Sequence, residues 1–514
     1  MQCYNHKRIN KTSMLKIGIM IINIVLLLFL TSKKCGMHED EYYTYALSNN
    51  QTGMSVSFED GKQINSQQYY EEVFNASKLD FARVWENQKN DVHPPLYYMI
   101  FHIFTRFTHN FWGLKTGIIL NICFHVFNIM ILYKIIEKVF DKTFFCWAGC
   151  IFYAFMPIVL GNVLLQRMYT LLATFTLLLL FIVVKRILNK KSERFYIYLF
   201  CVSVGGSLVH YYFLIYLFFV CLIRGIYLIV EKAWKEVFLF LATMICAAGA
   251  CIMIFPPIVQ HIFFGYRGQQ SFDNFLHSSY GENIGYFVHK INYLFGGLVA
   301  PIFLIILTII VYYIYTKQKQ KVYIWMVLTI PSIGYFLIVS KISVLLHERY
   351  MALLYGNSII LIIGMLDVLS QKLKNKRIAY AFCAFYMAGI VIYNWFTYEW
   401  RELYQEAESA YEIAQNYGRE NDCIHIYTAT WKSIPSIYEF ALYQNNSFIK
   451  MEELNNLIQN DIYQEYDHVV VYIDREIETD QIEEMLKEIM RVCSQLHEYK
   501  ELYQYNYQKV YYLD

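Results

Sequence analysis

The sequence predicts a polytopic α-helical membrane protein of about eleven spans, with outer-face juxtamembrane helices and a small C-terminal α/β domain. Apolar runs of roughly 18–25 residues recur from residue 14 to 397, each long enough to cross a ~30 Å hydrocarbon core. Lys/Arg clusters fall in every second connection between them, and the apolar runs stop near residue 398. Composition agrees: of 514 residues 57% are hydrophobic, 18% aromatic and 17% charged, against about 25% charged in an ordinary soluble domain, and the mean hydropathy is +0.30. A soluble globular protein, a disordered chain and a small disulfide scaffold are excluded. The 44 basic and 42 acidic residues nearly cancel, so no net field invites nucleic acid. Most of the 12 cysteines (Cys123, Cys146, Cys150, Cys201, Cys246, Cys251 among them) lie inside apolar runs without a CxxC pair. They read as apolar filler, not as a zinc site or a disulfide frame.

The first run, 14–30, follows Lys7, Arg8, Lys11 and Lys16. Thr31-Ser32-Lys33-Lys34-Cys35 offers no small-x-small cleavage site and no small residue ahead of a lipoprotein cysteine. The run therefore reads as a retained signal-anchor, with the N-terminus in the cytoplasm by the positive-inside rule. Further spans fall near 115–136, 143–160, 169–188, 195–209, 211–230, 234–256, 296–316, 322–340, 350–370 and 378–397. Alternate connections carry Lys134/Lys138/Lys142, Lys185/Arg186/Lys190/Lys191/Arg194, Lys232/Lys235, Lys317/Lys319/Lys321 and Lys372/Lys374/Lys376/Arg377. His93-Pro94-Pro95-Leu96 opens an apolar run of about 13 residues that His102 and Arg106 interrupt. A crossing there would turn every later basic cluster outward, so a juxtamembrane or re-entrant outer helix is expected, with Pro95 in its first turn.

From 399 the composition changes. A polar helix over 399–417, ended by Gly418, continues the last span. Strands near 424–428 and 468–473 alternate with helices near 434–442, 452–458 and 481–495, which predicts a small α/β module. It has no GxGxxG and no phosphate loop, and the tyrosines of 499–512 read as compositional bias. No internal repeat is found. The domains are thus 1–398, with a first outer loop over about 33–114, and an extracytoplasmic 399–514.

This topology collects the unusual polar residues on one face. They are His38-Glu39-Asp40-Glu41, Asp91 and His93, Gln166-Arg167-Met168-Tyr169, His210-Tyr211-Tyr212, and His347-Glu348-Arg349-Tyr350. An ionisable group at membrane depth costs ~2.5–3.5 kcal/mol, so their convergence suggests a site. Each has a plainer reading. Asp40 and Glu41, about ten residues past the first span, are either solvated charges or a general base. Arg167, among Leu164, Leu165 and Met168, either snorkels or holds a phosphate. His347-Glu348-Arg349 is an interfacial ion pair or a second phosphate contact, and His93 and His210 either pack the short helix or line a site. His38, Glu39, Asp40 and the other histidines lack metal-ligand spacing. No cofactor is predicted, and a divalent metal stays open because Glu39-Asp40-Glu41 is the nearest substitute for an absent DxD. The connection 265–292, with Tyr266, Arg267 and His277, is a candidate acceptor or lid region.

Asp40-Glu41 after the first span, His93-Pro94-Pro95-Leu96-Tyr97-Tyr98, Gln166-Arg167-Met168-Tyr169, His210-Tyr211-Tyr212 and Arg349-Tyr350 together resemble the polyprenyl-phosphate-dependent glycosyltransferases of the GT-C class. The match is to the bacterial family 39 type, akin to protein O-mannosyltransferases and the aminoarabinose transferases of lipid A. It covers roughly residues 1–370 and departs at Gln166, where relatives often have Gln-Glu-Ala before the arginine. The resemblance implies a multi-pass plasma-membrane enzyme, bacterial in type. It implies transfer of a sugar, with inversion, from a polyprenyl phosphate in the outer leaflet to a glycan, lipid or protein acceptor. Asp40 would be the catalytic base and Glu41 would hold the acceptor or the base. Arg167 and Arg349 would bind the donor phosphate, and His93, Tyr98, Tyr169, His210, Tyr211 and His347 would line the site.

The chemistry is consistent with those roles. Cleaving the sugar–phosphate bond turns a phosphodiester of about −1 into a monoester approaching −2. Guanidiniums aimed at that oxygen gain most in the transition state. A single displacement needs one base, which suits one acidic cluster better than the two carboxylates of a glycoside hydrolase. A secondary transporter would favour symmetric halves and broken midplane helices. A polysaccharide polymerase or ligase would share the arginines and histidines without requiring a carboxylate after the first span. A receptor would not need eleven spans.

Overall fold

The computed structural model describes residues 2–50, 53, 61–76, 78–140, 142–189, 194–418, 420–429, 432, 436–457, 466–505 and 507–514. Its helices are, in chain order, α1 (Gln2–Ser32), α2 (Glu39–Asn49), α3 (Ser66–Phe74), α4 (Phe81–Lys89), α5 (Leu96–Trp112), α6 (Thr116–Phe140), α7 (Thr143–Phe155), α8 (Pro157–Leu164), α9 (Tyr169–Leu188), α10 (Phe195–Ser207), α11 (Tyr212–Val230) and α12 (Trp234–Ile254). There follow α13 (Pro257–Phe263), α14 (Tyr266–His277), α15 (Tyr280–Phe295), α16 (Val299–Tyr315), α17 (Lys319–Ile342), α18 (Ala352–Lys372) and α19 (Lys376–Thr397). The C-terminal part adds α20 (Glu408–Tyr417), α21 (Ile437–Phe440), α22 (Leu454–Leu457) and α23 (Thr479–Val492).

Among the described residues seven helical stretches are long and apolar enough to cross a membrane, or nine if two bent pairs each count as one. The expected eleven counts two shorter apolar helices as crossings as well. Apolar runs 14–30 and 195–209 do form helices, but their apolar parts, Ile17–Ser32 and Phe195–Ser207, fall short of a full crossing. The bent pairs have identifiable causes. Pro157 opens α8 after a 52° bend from α7, since a proline lacks the N–H that would continue a helix. Gly296 and Gly297, at φ +60° and +80°, separate α15 from α16 across a 74° bend, a backbone that glycine adopts without strain.

The run after His93 forms α5, which is longer than expected. A tight turn, Gly113–Lys115, joins it to α6 in one apolar stretch, Leu96–Phe140. Pro95 caps the helix one residue before its first turn. The connection 265–292 is not an open loop but two helices, α14 and the first part of α15.

The C-terminal part is built on a six-stranded sheet: β1 (Gln63–Asn65), β2 (Asp422–Tyr427), β3 (Asn445–Lys450), β4 (Val469–Asp474), β5 (Tyr499–Tyr505) and β6 (Gln508–Leu513), in the order β1-β3-β2-β4-β6-β5. β3, β2 and β4 are parallel, and the other pairings are antiparallel. β4 is buried along its whole length. Val469, Val471 and Ile473 pack with Ile482, Leu486 and Ile489 of α23, while Val470 and Tyr472 face Ala414 and Tyr443. A strand covered on both faces reads as a continuous apolar run, which is why β4 was visible in the sequence.

Three expectations fail here. The polar helix over 399–417 is broken. α19 stops at Thr397, turns at Arg401–Leu403 and Gln405–Ala407 follow with Tyr404 at φ +51°, and helix resumes only at Glu408. Gly418 follows α20 in a right-handed conformation, and a Cβ there would lie 2.4 Å from the Ala414 carbonyl, so close packing explains it. The tyrosine-rich tail is the β5–β6 hairpin, with Tyr511 packed on one face of the sheet and Tyr512 on the other. The start of the helix expected from 434, and Lys190 and Lys191, lie outside the described residues.

Candidate active site

The site is assembled at the end of the helix bundle that bears the C-terminal sheet, and α2 is its platform. His38 caps α2: its Nδ1 accepts the Asp40 N–H at 3.0 Å, and the Glu41 carboxylate accepts the His38 N–H at 2.8 Å. This reciprocal box satisfies two otherwise orphaned donors. Glu41 is fully buried, takes Lys34 Nζ at 2.7 and 3.0 Å and accepts the Gln166 N–H at 2.9 Å. Lys34 also donates to the Leu164 carbonyl at 3.1 Å. Glu41 therefore ties the start of α2 to the segment that presents Arg167, and its oxygens are engaged in that tie. Breaking a buried pair by removing one partner costs about 3–5 kcal/mol. Glu41→Ala should lose that much in denaturant unfolding in detergent, and Lys34→Met with Glu41→Leu should lose far less.

Asp40 sits one residue earlier, with its side chain 23% exposed. Arg349 Nη2 donates to Asp40 Oδ2, and Arg167 Nη2 lies 3.9 Å from Oδ1. Burial pushes the Asp40 carboxyl up, but the Arg349 and Arg167 charges outweigh it and hold the group well below the usual carboxylate range. Arg167 is 3% exposed and its Nη1 donates to the Asp40 carbonyl, Thr44 Oγ1 and Tyr98 Oη at 3.0–3.1 Å. Its Nη2 is 3.4 Å from His93 Nε2. His93 Nδ1 lies 2.8 Å from Asp91 Oδ2, which assigns the ring proton to Nδ1 and leaves Nε2 as acceptor. The Nε atoms of both arginines are buried and have no acceptor among the described residues.

Rings surround the arginines. Arg349 lies 5.9 Å over the Tyr169 ring, and Tyr169 packs against His210 and Tyr350 at 5.6 and 6.2 Å. His93 and His210 are 5.8 Å apart, and His347 meets Tyr350 and His38 at 5.7 and 6.2 Å. Burial first, and the Arg349 charge second, lower His38 to about 3 and His347 to about 4, so both are neutral at physiological pH. The 3.5 Å approach of His38 Nδ1 to Asp40 is accordingly not an ion pair.

Most sequence-predicted site residues meet here: Asp40, Arg167, Arg349, His93, Tyr98, Tyr169, His210 and His347. Tyr211 does not. Its hydroxyl is 2.8 Å from His261 Nδ1, and His261 Nε2 is 3.1 Å from the Lys89 carbonyl. Tyr212 takes the inner position, 4.8 Å from His210 and 5.5 Å from Tyr350. Of the connection 265–292, Arg267 faces the site closely enough for its charge to act on Glu39 and His347, while His277 is engaged with its own helix through Asp273. Sequence reasoning missed Lys34, Thr44, Tyr398 and Glu402; an isolated residue of these types carries no signal by itself.

A cavity of about 630 Å³ opens beside Arg349, His38 and His347 and is walled by Tyr286, Lys290, Glu348, Trp400, Glu402 and Tyr404. Leu165, Leu346 and the aromatic rings share its lining with the charged side chains, so it suits a ligand with both polar and apolar faces. Among the described residues no group of three or more His, Cys, Asp or Glu is placed to hold a metal ion, and no described cysteine forms a disulfide.

No family model matches the chain, and no curated protein does. Among solved structures, ArnT from Cupriavidus metallidurans bound to undecaprenyl phosphate is similar at 11% identity over 96% of this chain and 97% of that one, with a TM-score of 0.48. The archaeal oligosaccharyltransferase AglB from Archaeoglobus fulgidus, in complex with an inhibitory peptide and a dolichol-phosphate, is similar at 12% identity over 91% of this chain and 70% of that one, with a TM-score of 0.46. Likeness at this level does not transfer an activity.

Proposed function

We propose that this protein is a GT-C-type membrane glycosyltransferase that passes a sugar, with inversion, from a polyprenyl phosphate to an acceptor. The observation that carries the reading is the Asp40 carboxylate held between Arg349 and Arg167, with Arg349 also lining a cavity. The acceptor hydroxyl or amine attacks the anomeric carbon, the carbon–oxygen bond to phosphate breaks, and the phosphate leaves as a monoester. Asp40 takes the acceptor's proton. The guanidinium charges of Arg349 and Arg167 meet the growing charge on the phosphate oxygen. His93, Tyr98, Tyr169, His210 and His347 line the site, with Tyr212 in the place first expected for Tyr211.

The finer reading is the family 39 type in a plasma membrane, with eleven crossings if both short apolar helices span. The N-terminus is then cytoplasmic and the sheet domain outside, and the acceptor is a glycan, lipid or protein. The alternating basic clusters and the residue pattern of 1–370 support it. Mass spectrometry of the envelope of a deletion strain tests the reading. One sugar should be missing from a lipid or polymer and one polyprenyl-phosphate sugar should accumulate; an unchanged envelope with no accumulating donor overturns it.

A further inference from the structure

Arg349 is carried by a single 3-10 turn, Glu348–Met351, between α17 and α18. Tyr355 and Tyr335 donate to the carbonyls of Glu348 and Tyr350. The side-chain anchor is Glu348. Its Oε2 is 3.0 Å from Lys290 Nζ of α15, and its Oε1 accepts the Tyr398 hydroxyl at 2.7 Å.

The same Tyr398 oxygen lies 3.2 and 3.3 Å from the two oxygens of Glu402. A phenol has one hydrogen to give, and the shortest contact assigns it to Glu348. The approach of Glu402 to the phenolic oxygen then lacks a hydrogen unless the carboxyl supplies one. Gly161 of α8 closes the other side, where a Cβ would lie 2.3 Å from Tyr398 Oη and 2.9 Å from Glu402 Oε2.

We propose that Glu402 binds a proton and donates it to the Tyr398 hydroxyl, and that this proton locks Glu348, and through it the turn that aims Arg349 at Asp40. Glu402 is a positioning residue, and the role assigned to Arg349 rests on the glycosyltransferase reading above. Burial first, and the Glu348 charge second, push Glu402 up to about 8. The other groups that face the carboxyl pair are Lys290 and Tyr286 of α15, Tyr355 of α18, Arg401 and Tyr404 after α19, and Lys34 ahead of α2, with Gly161 of α8 packed against Tyr398 and Glu402. When Glu402 ionises, two carboxylates compete for one hydrogen, and Glu348 loses its fixed partner.

Binding of undecaprenyl phosphate to the full-length protein in detergent, followed from about pH 7.5 to about pH 9.5, tests this. The phosphate's own second ionisation, near 6, is complete before the range of interest. Wild type should weaken about tenfold through an alkaline limb near 8. Glu402→Gln, which keeps a hydrogen to donate, should hold its neutral-pH affinity throughout. Tyr398→Phe should bind weakly at every pH, with no such limb. A parallel decline of wild type and Glu402→Gln overturns the proposal.

The proton itself is read separately from the pH dependence of the melting temperature. A carboxyl raised above its unfolded value of about 4.3 keeps its proton longer in the folded state, so its contribution to stability falls from about 4.3 to about 8 and levels above. Glu402→Gln should lack that component, and an identical slope in both proteins overturns the proton site. Should wild type fail to bind undecaprenyl phosphate at any pH, the phosphate role of Arg349 fails, and the proton site is decided by the melting slopes alone.

Discussion

Asp40→Asn is expected to slow sugar transfer by about 10²–10⁴-fold, the usual contribution of a positioned general base, while the protein binds undecaprenyl phosphate at least as tightly as wild type. Asparagine preserves the shape at the start of α2 and leaves the backbone capping bond from Asp40 to His38 untouched. It cannot accept a proton. It also removes the anion on which Arg349 and Arg167 converge, so a donor phosphate no longer shares them with a carboxylate. The same competition explains how a carboxyl held so far below its usual range acts as a base: once the arginines also meet phosphate, their hold on Asp40 weakens and its basicity rises. Turnover with radiolabelled donor, alongside binding by isothermal titration, separates the two effects. Wild-type turnover in Asp40→Asn removes Asp40 from the reaction.

Arg349→Ala and Arg167→Ala should both lose the leaving-phosphate contact, worth about 2.7–4 kcal/mol or roughly 10²–10³ in kcat, but they should differ in stability. Arg349 sits on a separate turn, and its side-chain ion pair is with Asp40, so its loss should leave the fold nearly intact. Arg167 is the hub that joins Asp40 and Thr44 of α2 to Tyr98 of α5. Its removal takes the guanidinium partner from the buried Tyr98 hydroxyl, at about 1–3 kcal/mol, and unties α2 from α5. Arg167→Ala should therefore unfold at lower denaturant as well as turn over slowly. Unchanged donor affinity and turnover in both variants would exclude a phosphate role for the pair.

The helices of the bundle were legible because burial in lipid demands long apolar runs, and Asp40, Arg167 and Arg349 stood out as charges where apolar residues are the rule. What sequence could not resolve was direction. His210-Tyr211-Tyr212 names three candidates, but only the turn into α11 decides that Tyr212 points inward and Tyr211 toward His261. Adjacent acids posed the same problem: Asp40 faces the arginines, whereas Glu41 turns to Lys34. The break after Thr397 was hidden because 399–417 has good helix formers, and tertiary contacts of Tyr398 and Glu402 override their preference. The edge strand β1 has three residues, too few for any periodicity to register.

That short strand has a consequence for how the protein is made. Gln63–Asn65 pairs with Asn445–Ser447, so a piece synthesised near the beginning waits for a partner synthesised near the end. All the apolar helices from α5 to α19 are made in the interval. The β1–β3 pairing therefore forms only after the helices between them have been made, and it ties the segment between α2 and α3 to the C-terminal sheet.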